Sequence, residues 1–465
     1  MNDSIVDEVR FDADLIARYD GRGPRYTSYP TAPQFADTFA AKDYRKFALE
    51  SNSSERPLSL YVHIPFCQSL CYYCGCNKIV TRNQQRISNY LDHLHREIDM
   101  QAELFADSRQ VEQLHFGGGT PTYLDDNQLI ALMDKLAGKF SFASPEDREF
   151  SIEVDPRSVT AASIRLLADL GFNRLSLGIQ DFDNAVQIAV NRVQSETDVA
   201  DLVETARAEG FKSISFDLIY GLPQQTIAGF EQTLRTVVDM RPDRLAVYNY
   251  AHLPERFKGQ RMIQDDQIPL PETKLEILHL TIDRLCAAGY HYVGMDHFAL
   301  PDDELVQARH KRTLQRNFQG YSTNKQCDLV GLGVSSISHV GNSFSQNAAT
   351  TMAYEALIEE DRLPVCRGIA IDDDDIIRAN AIQELMCYDR LDFSDFDERY
   401  GVSVRSYFAA EIKRLTPMIE DGLVTVADDG IYVTARGRML VRNIAMTFDR
   451  HLGQAGNAEQ FSKAI

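Results

Sequence analysis

The chain has 465 residues, 44% hydrophobic and 25% charged. That is ordinary globular composition for two or three domains, and it excludes a disulfide-stapled miniprotein or a mostly disordered chain. Lys and Arg number 48 against 68 Asp and Glu, a net charge of −20, so steering toward nucleic acid or an anionic membrane is disfavoured. No apolar run approaches the roughly 18 residues of a membrane helix, and the start, MNDSIVDEVRFDADL, has no apolar h-region; a cytoplasmic protein is expected.

Residues 1–50 are read as an N-terminal arm. The stretch GRGPRYTSYPTAPQF is rich in Pro, Tyr and Thr and suits an extended segment lying on a surface. From residue 58 onward, β-branched runs alternate with amphipathic stretches. Strands are predicted from Leu58, Gln110, Glu149, Arg174, Ser213 and Arg244, with helices between them. ADLGFNRLSLG, RAEGFKSISFD and CAAGYHYVGMD each run from helix to strand through Gly171, Gly210 or Gly289, where a helix C-cap needs positive φ.

Repeated βα units require a parallel sheet with right-handed crossovers. Successive strands end in polar sequence: the cysteine loop, Gly117–Thr120, Glu153 and Asp155, Gln180 and Asp181, Asp217, and Asn249–Ala251. Such ends meet at the mouth of a full or partial parallel βα barrel, assigned to residues 51–365. Residues 366–465 read as a small, mostly helical, winged-helix-like C-terminal domain. There LVTVADDGIYVT forms a hairpin at Asp-Gly, followed by a basic helix, ARGRMLVRNIAM. DNA binding is the alternative role for that domain.

Four of the eight cysteines, Cys67, Cys71, Cys74 and Cys76, fall within ten residues. Scattered Cys286, Cys327, Cys366 and Cys387 are expected to be buried small hydrophobes, whereas the dense group reads as metal-binding. Structural zinc normally needs a second CxxC knuckle, and none is present. Three thiolates in CxxxCxxC spacing suit three corners of an iron-sulfur cubane, with the fourth iron open to a ligand.

CxxxCxxC with Tyr73 before its last cysteine, followed by a glycine-rich second loop, resembles the radical S-adenosylmethionine enzymes. Further motifs, PRYTSYPTAPQF, CxxxCxxCxC, HFGGGTPTYL, SIEVDPR, LSLGIQDF, FDLIYGLP, NYAHLP, GMDHFA, NFQGYST and GVSSIS, are similar to those of the oxygen-independent coproporphyrinogen III oxidases over nearly the whole chain. The resemblance implies a 4Fe-4S cluster on Cys67, Cys71 and Cys74 and two molecules of S-adenosylmethionine. One would be held by Tyr61, Tyr73, Gly118, Glu153 and Ile337, the other by Gly119, Thr120, Gln180, Arg192, Asp217 and Ala251. It implies that a 5'-deoxyadenosyl radical converts the ring A and B propionates of coproporphyrinogen III to vinyl groups, giving protoporphyrinogen IX. An electron-donor protein is an implied partner and a monomer the expected state.

The alternatives are a haem-trafficking protein on the same fold, or another porphyrin-acting radical enzyme. Four propionates call for cations, and Arg22, Arg25, Arg436, Arg438 and Arg442 are candidates, set against solvated surface charge. By side-chain chemistry, Glu153, Asp217 and Gln180 suit ribose hydroxyls or an ammonium, and Arg192 a carboxylate. Gly117–Gly119 would let backbone approach a ligand, or simply turn the chain before Pro121.

Overall fold

A computed structural model describes residues 8–324, 327–452 and 461. The chain divides into two compact units, one of residues 35–280 and 326–370, the other of 1–34, 281–325 and 371–465. The division is discontinuous in sequence and differs from contiguous segments 1–50, 51–365 and 366–465.

In the larger unit the six predicted strands form: β1 (Leu58–Ile64), β2 (Val111–Gly118), β3 (Glu149–Val154), β4 (Arg174–Gln180), β5 (Ser213–Tyr220) and β6 (Arg244–Asn249). Four more follow: β7 (Asp328–Leu332), β8 (Ile337–Val340), β9 (Ser343–Asn347) and β10 (Val365–Ala370). Their order is β10-β9-β8-β7-β1-β2-β3-β4-β5-β6. The run from β7 to β6 is parallel, and β8, β9 and β10 add antiparallel. The order does not return from β6 to β10, which decides between the two expected forms: this is a partial barrel.

Strand β1, near the middle of the series, is buried at nearly every position, as a strand covered on both faces must be. Farther along, β3 and β5 alternate. Phe150, Ile152, Val154, Phe216 and Leu218 are buried, and the period of two places Ser151, Glu153, Ser215 and Asp217 on the opposite face.

Between these strands lie α1 (Gln84–Ala102), α2 (Asp126–Ala137), α3 (Ala161–Asp169), α4 (Glu196–Ala208) and α5 (Ile227–Met240). Asn83, Asp125, Thr160, Ser195 and Thr226 cap them with side-chain oxygens, each worth about 1 kcal/mol. The predicted C-caps form as Schellman turns. Gly171, at φ +90°, donates to Ala168 O, and Phe172 N donates to Leu167 O at 3.0 Å; Phe172 is buried. Gly210 and Phe211 repeat the pattern after α4.

The smaller unit contains the expected hairpin, Val424–Val426 with Gly430–Val433, and a third strand, Arg390–Asp392, that propensity did not reveal. A helix at Asp373–Tyr388 and shorter ones at Phe393–Tyr400, Val404–Tyr407, Ala409–Arg414 and Thr416–Glu420 accompany it.

Four expectations are corrected here. The PRYTSYP segment does not lie on a surface: Tyr26 and Tyr29 are buried in one core with Leu385, Leu391, Ile431 and Phe448. Tyr26 donates to Asp449 at 3.1 Å, and the Tyr29 hydroxyl accepts from Arg450 N. The basic stretch is α-helical only over Val441–Met446. Nor are its arginines all surface charge, since Arg438 and Arg442 are each 1% exposed. Arg438 pairs with Asp389 at 2.8 Å and donates to Tyr292 O, while Arg442 donates to Gly23 O at 2.7 Å. Arg25 is paired with Asp296 and Arg436 with Asp12; Arg22 is exposed. Of the scattered cysteines only Cys387 is buried; Cys327 is half-buried, and Cys286 and Cys366 are exposed.

Candidate active site

The cysteine loop leaves the C-terminal end of β1. It is stitched to the glycine loop that leaves β2, because Gly119 N donates to Ile64 O and Thr120 N to Phe66 O, both at 2.8 Å. A Cβ on Gly119 would meet the backbone of Pro65 and Phe66 at 2.8 Å, and one on Gly118, at φ +119°, would strike the His63 ring at 2.8 Å. These glycines therefore let two loops of this chain meet, a reason the sequence expectation of a ligand approach or a turn did not contain.

The loops open onto a cavity of about 380 Å³ at the strand C-termini. Cys67, Cys71, Cys74, Tyr73, Gly118, Gly119, Thr120, Glu153, Gln180, Arg192 and Asp217 all line it. The ends of β1 to β5 thus converge as expected, whereas Asn249–Ala251 at the end of β6, also expected there, are not on the lining. Three expected cofactor residues are not on the lining. Tyr61 donates to, or accepts from, His63 Nδ1 at 3.0 Å and stacks on His115. Ile337 begins β8, its carbonyl oxygen 2.7 Å from where a Cβ on Gly331 would lie, and Gly331 is the register partner of Tyr61. Exposed Ala251 shares a donor with Tyr73: the buried Gln260 amide reaches Tyr73 O at 2.9 Å and Ala251 O at 3.2 Å.

Gln180 reaches the cavity through a bulge. The β4–β5 register slips between Gly178 and Gln180, and Gln180 takes φ +68°, a re-aiming that bulges commonly provide. Gly178 leaves the room: its Cβ would lie 2.8 Å from the Gln180 amide and 2.9 Å from Arg192 Nη2. Asp181, the neighbouring polar strand end, is buried instead against Thr233 and Gln225.

The carboxylates are in unequal environments. Burial would raise the pKa of Glu153, but His115, 3.4 Å away, and Gly118 N, 3.1 Å away, hold it below the ordinary value. Asp217 is pushed up to about 7, chiefly by burial and then by the charge of Glu153, with one hydrogen bond from Ser176 at 3.0 Å in opposition. Asp155, which the strand-end pattern noted without a role, is held below its usual range against burial by Arg157 and Arg192.

The thiols differ as well. Burial pushes Cys67 up to about 11, moderated by the Thr120 hydroxyl at 3.4 Å. Cys74 is drawn down to about 6, first by a hydrogen bond from Cys76 and also by Lys78. Among the described residues no three His, Cys, Asp or Glu side chains are close enough to hold one metal ion. A cubane takes one thiolate at each of separate irons, so Cys67, Cys71 and Cys74, which share the cavity with Cys76, fit a cluster, and the polar wall of Glu153, Gln180 and Asp217 fits a nucleoside beside it. Arg157 and Gln260 were not legible as site residues: one follows a proline in a short turn, the other lies in a long irregular segment.

The sequence model of the Radical SAM superfamily matches residues 61–237, and that of the HemN C-terminal domain matches residues 371–440. Oxygen-independent coproporphyrinogen III oxidase of Pseudomonas aeruginosa is 48% identical over 99% of this chain and 100% of its own. The Escherichia coli protein of that name is 48% identical over 99% and 100%. A solved structure titled as coproporphyrinogen III oxidase (HemN) from Escherichia coli, a radical SAM enzyme, superposes with TM-score 0.91 over 96% of this chain and 100% of that one.

Proposed function

The chain belongs to the oxygen-independent coproporphyrinogen III oxidases of the radical SAM superfamily, and from that membership we propose how its own residues serve the reaction. It is an oxidoreductase with a 4Fe-4S cluster and S-adenosylmethionine as cofactors, acting on coproporphyrinogen III. The ring A and B propionates are decarboxylated oxidatively to vinyl groups, giving protoporphyrinogen IX. A propionate β-carbon carries no acidic hydrogen, so an ordinary general base cannot remove it. The bound cluster and S-adenosylmethionine supply the one-electron chemistry that can.

Cys67, Cys71 and Cys74 hold the cluster. Tyr61, Tyr73, Gly118, Glu153 and Ile337 serve one S-adenosylmethionine; Gly119, Thr120, Gln180, Arg192, Asp217 and Ala251 serve a second. Support for the first set comes from the β1–β7 edge, where Tyr61 pairs with Gly331 beside Ile337. For the second it comes from the Gln260 bridge that ties Ala251 to Tyr73. Glu153 accepts from a ligand ammonium or ribose as an anion, whereas Asp217 changes charge near neutrality. Among the described residues no helix is long and apolar enough to cross a membrane; a monomer working in the cytoplasm with a separate electron-donor protein is part of this proposal. Arg22 remains the exposed candidate for a substrate propionate.

The observation that carries this reading is one cavity that brings Cys67, Cys71 and Cys74, with Cys76 beside them, together with Glu153, Gln180, Arg192 and Asp217 from different strands and loops. Its test is anaerobic incubation of reconstituted protein with S-adenosylmethionine, reductant and coproporphyrinogen III. Divinyl product should form with 5'-deoxyadenosine and carbon dioxide, without molecular oxygen. Haem binding with no divinyl product would defeat it.

A further inference from the structure

Cys71 is the cluster cysteine met by two guanidinium groups, whereas Cys74 has the single ammonium of Lys78 beside it. Arg157 Nη2 lies 3.3 Å from its sulfur and Arg192 Nη1 3.6 Å from it; the hydrogen bond to Cys67 comes from a neutral hydroxyl, that of Thr120. Arg157 is fixed for this contact on both sides. Its Nε and Nη2 form a fork on Asp155 at 3.0 and 2.7 Å, and Nη1 donates to Asn191 O at 3.3 Å. The Asp155 carboxylate also accepts Arg157 N, at 3.1 Å, capping the short turn Pro156–Ser158. The guanidinium plane is therefore held by its own turn, with one remaining Nη2 hydrogen directed at sulfur.

Two guanidinium groups and one carboxylate leave about one positive charge beside a single thiolate. Cationic donors to a cluster sulfur favour the more negative, reduced state and raise the reduction potential. Resting on the cluster assignment above, we propose that Arg157, oriented by Asp155, is a positioning residue that donates to the Cys71 sulfur and raises the cluster's reduction potential. Arg192, buried and 3.0 Å from the same Asp155 oxygen, completes the charge but is also drawn to Gly178 O at 2.6 Å. Arg157 is thus the member whose bonds end on Asp155, the neighbouring backbone and the sulfur.

The test compares anaerobically reconstituted wild type, Arg157→Gln and Arg157→Lys by EPR-monitored redox titration with iron content measured in parallel. Arg157→Gln should retain iron while its reduced-to-oxidised ratio at the wild-type midpoint falls about tenfold, equivalent to about 59 mV for one electron. Arg157→Lys keeps the charge but not the fork, so it should fall between. Full iron content with an unshifted midpoint in Arg157→Gln overturns the proposal. So does loss of the cluster from both variants, which would make Arg157 a structural brace. A wild-type protein that takes up no cluster overturns the cofactor assignment as well, so the two failures are distinguishable.

Discussion

The hydroxyl of Thr120 donates to the sulfur of Cys67 at 3.4 Å, joining the last residue of the glycine loop to the first of the cysteine loop. A neutral hydrogen bond of this kind is worth about 1 kcal/mol. Thr120→Val should leave the fold intact and accelerate iron loss to a chelator about fivefold, while Thr120→Ser should behave as wild type. Equal rates in all three proteins would show that the contact contributes nothing to the cluster.

The cysteine series gives a sharper contrast. Cys67→Ser, Cys71→Ser and Cys74→Ser should each abolish the cluster, since each removes one of the three ligands proposed for it. Cys76→Ser should keep about four irons per chain, because Cys76 is exposed and acts on Cys74 as a hydrogen-bond donor. Iron analysis with Mössbauer spectra decides the matter.

Asp217 carries a pH dependence. Its pKa of about 7 means the carboxyl gains charge across neutrality, so S-adenosylmethionine affinity should rise from pH 6 to pH 8. Asp217→Asn should flatten that profile, and Asp217→Ala should weaken binding about tenfold, the size of one hydrogen bond to a charged group. Equilibrium dialysis across the pH range measures both, and unfolding of neither variant is expected.

Glu97 predicts a pH dependence of stability instead. It is fully buried on α1 and accepts from Tyr354 at 2.6 Å and from Gly333 N and Asn347 at 2.7 Å. Burial nevertheless pushes it from 4.5 up to about 7. The folded carboxyl thus holds its proton better than the unfolded one. Stability is fully present below about pH 4.5 and is lost as pH rises toward 7, by on the order of 3 kcal/mol at about 1.4 kcal/mol per pH unit. Glu97→Gln should lose less melting temperature than wild type between pH 5 and pH 8. A parallel decline in calorimetry would refute the assignment.

Much of the larger unit was legible because its signals are local. Six strands, five helices and the glycine C-caps follow from periods and caps spanning a few residues. Strand β7 did not, because DLVGL is five residues long and becomes a strand by pairing with β1. The tyrosines of the PRYTSYP segment misled for a related reason: proline-rich sequence forecasts extended backbone, but not what packs around it.

The sequence by itself determined the chemistry that one loop can carry. Cys67, Cys71 and Cys74 are spaced along a single turn, and the polar strand ends follow from the βα alternation, so neither needed a distant partner to be recognised. Tertiary structure decided the partners. Gln260 lies 187 positions from Tyr73 and Tyr26 423 from Asp449, and Arg157 meets Cys71 across 86 positions. Contacts at such separations depend on how every intervening element closes its loop, and no periodicity encodes them. Burial and neighbours then set the charge states: Glu153 and Asp217 face one cavity, yet His115 and Gly118 N hold the first as a ready anion, while burial and the charge of Glu153 outweigh the hydrogen bond from Ser176 and make the second titrate near neutrality.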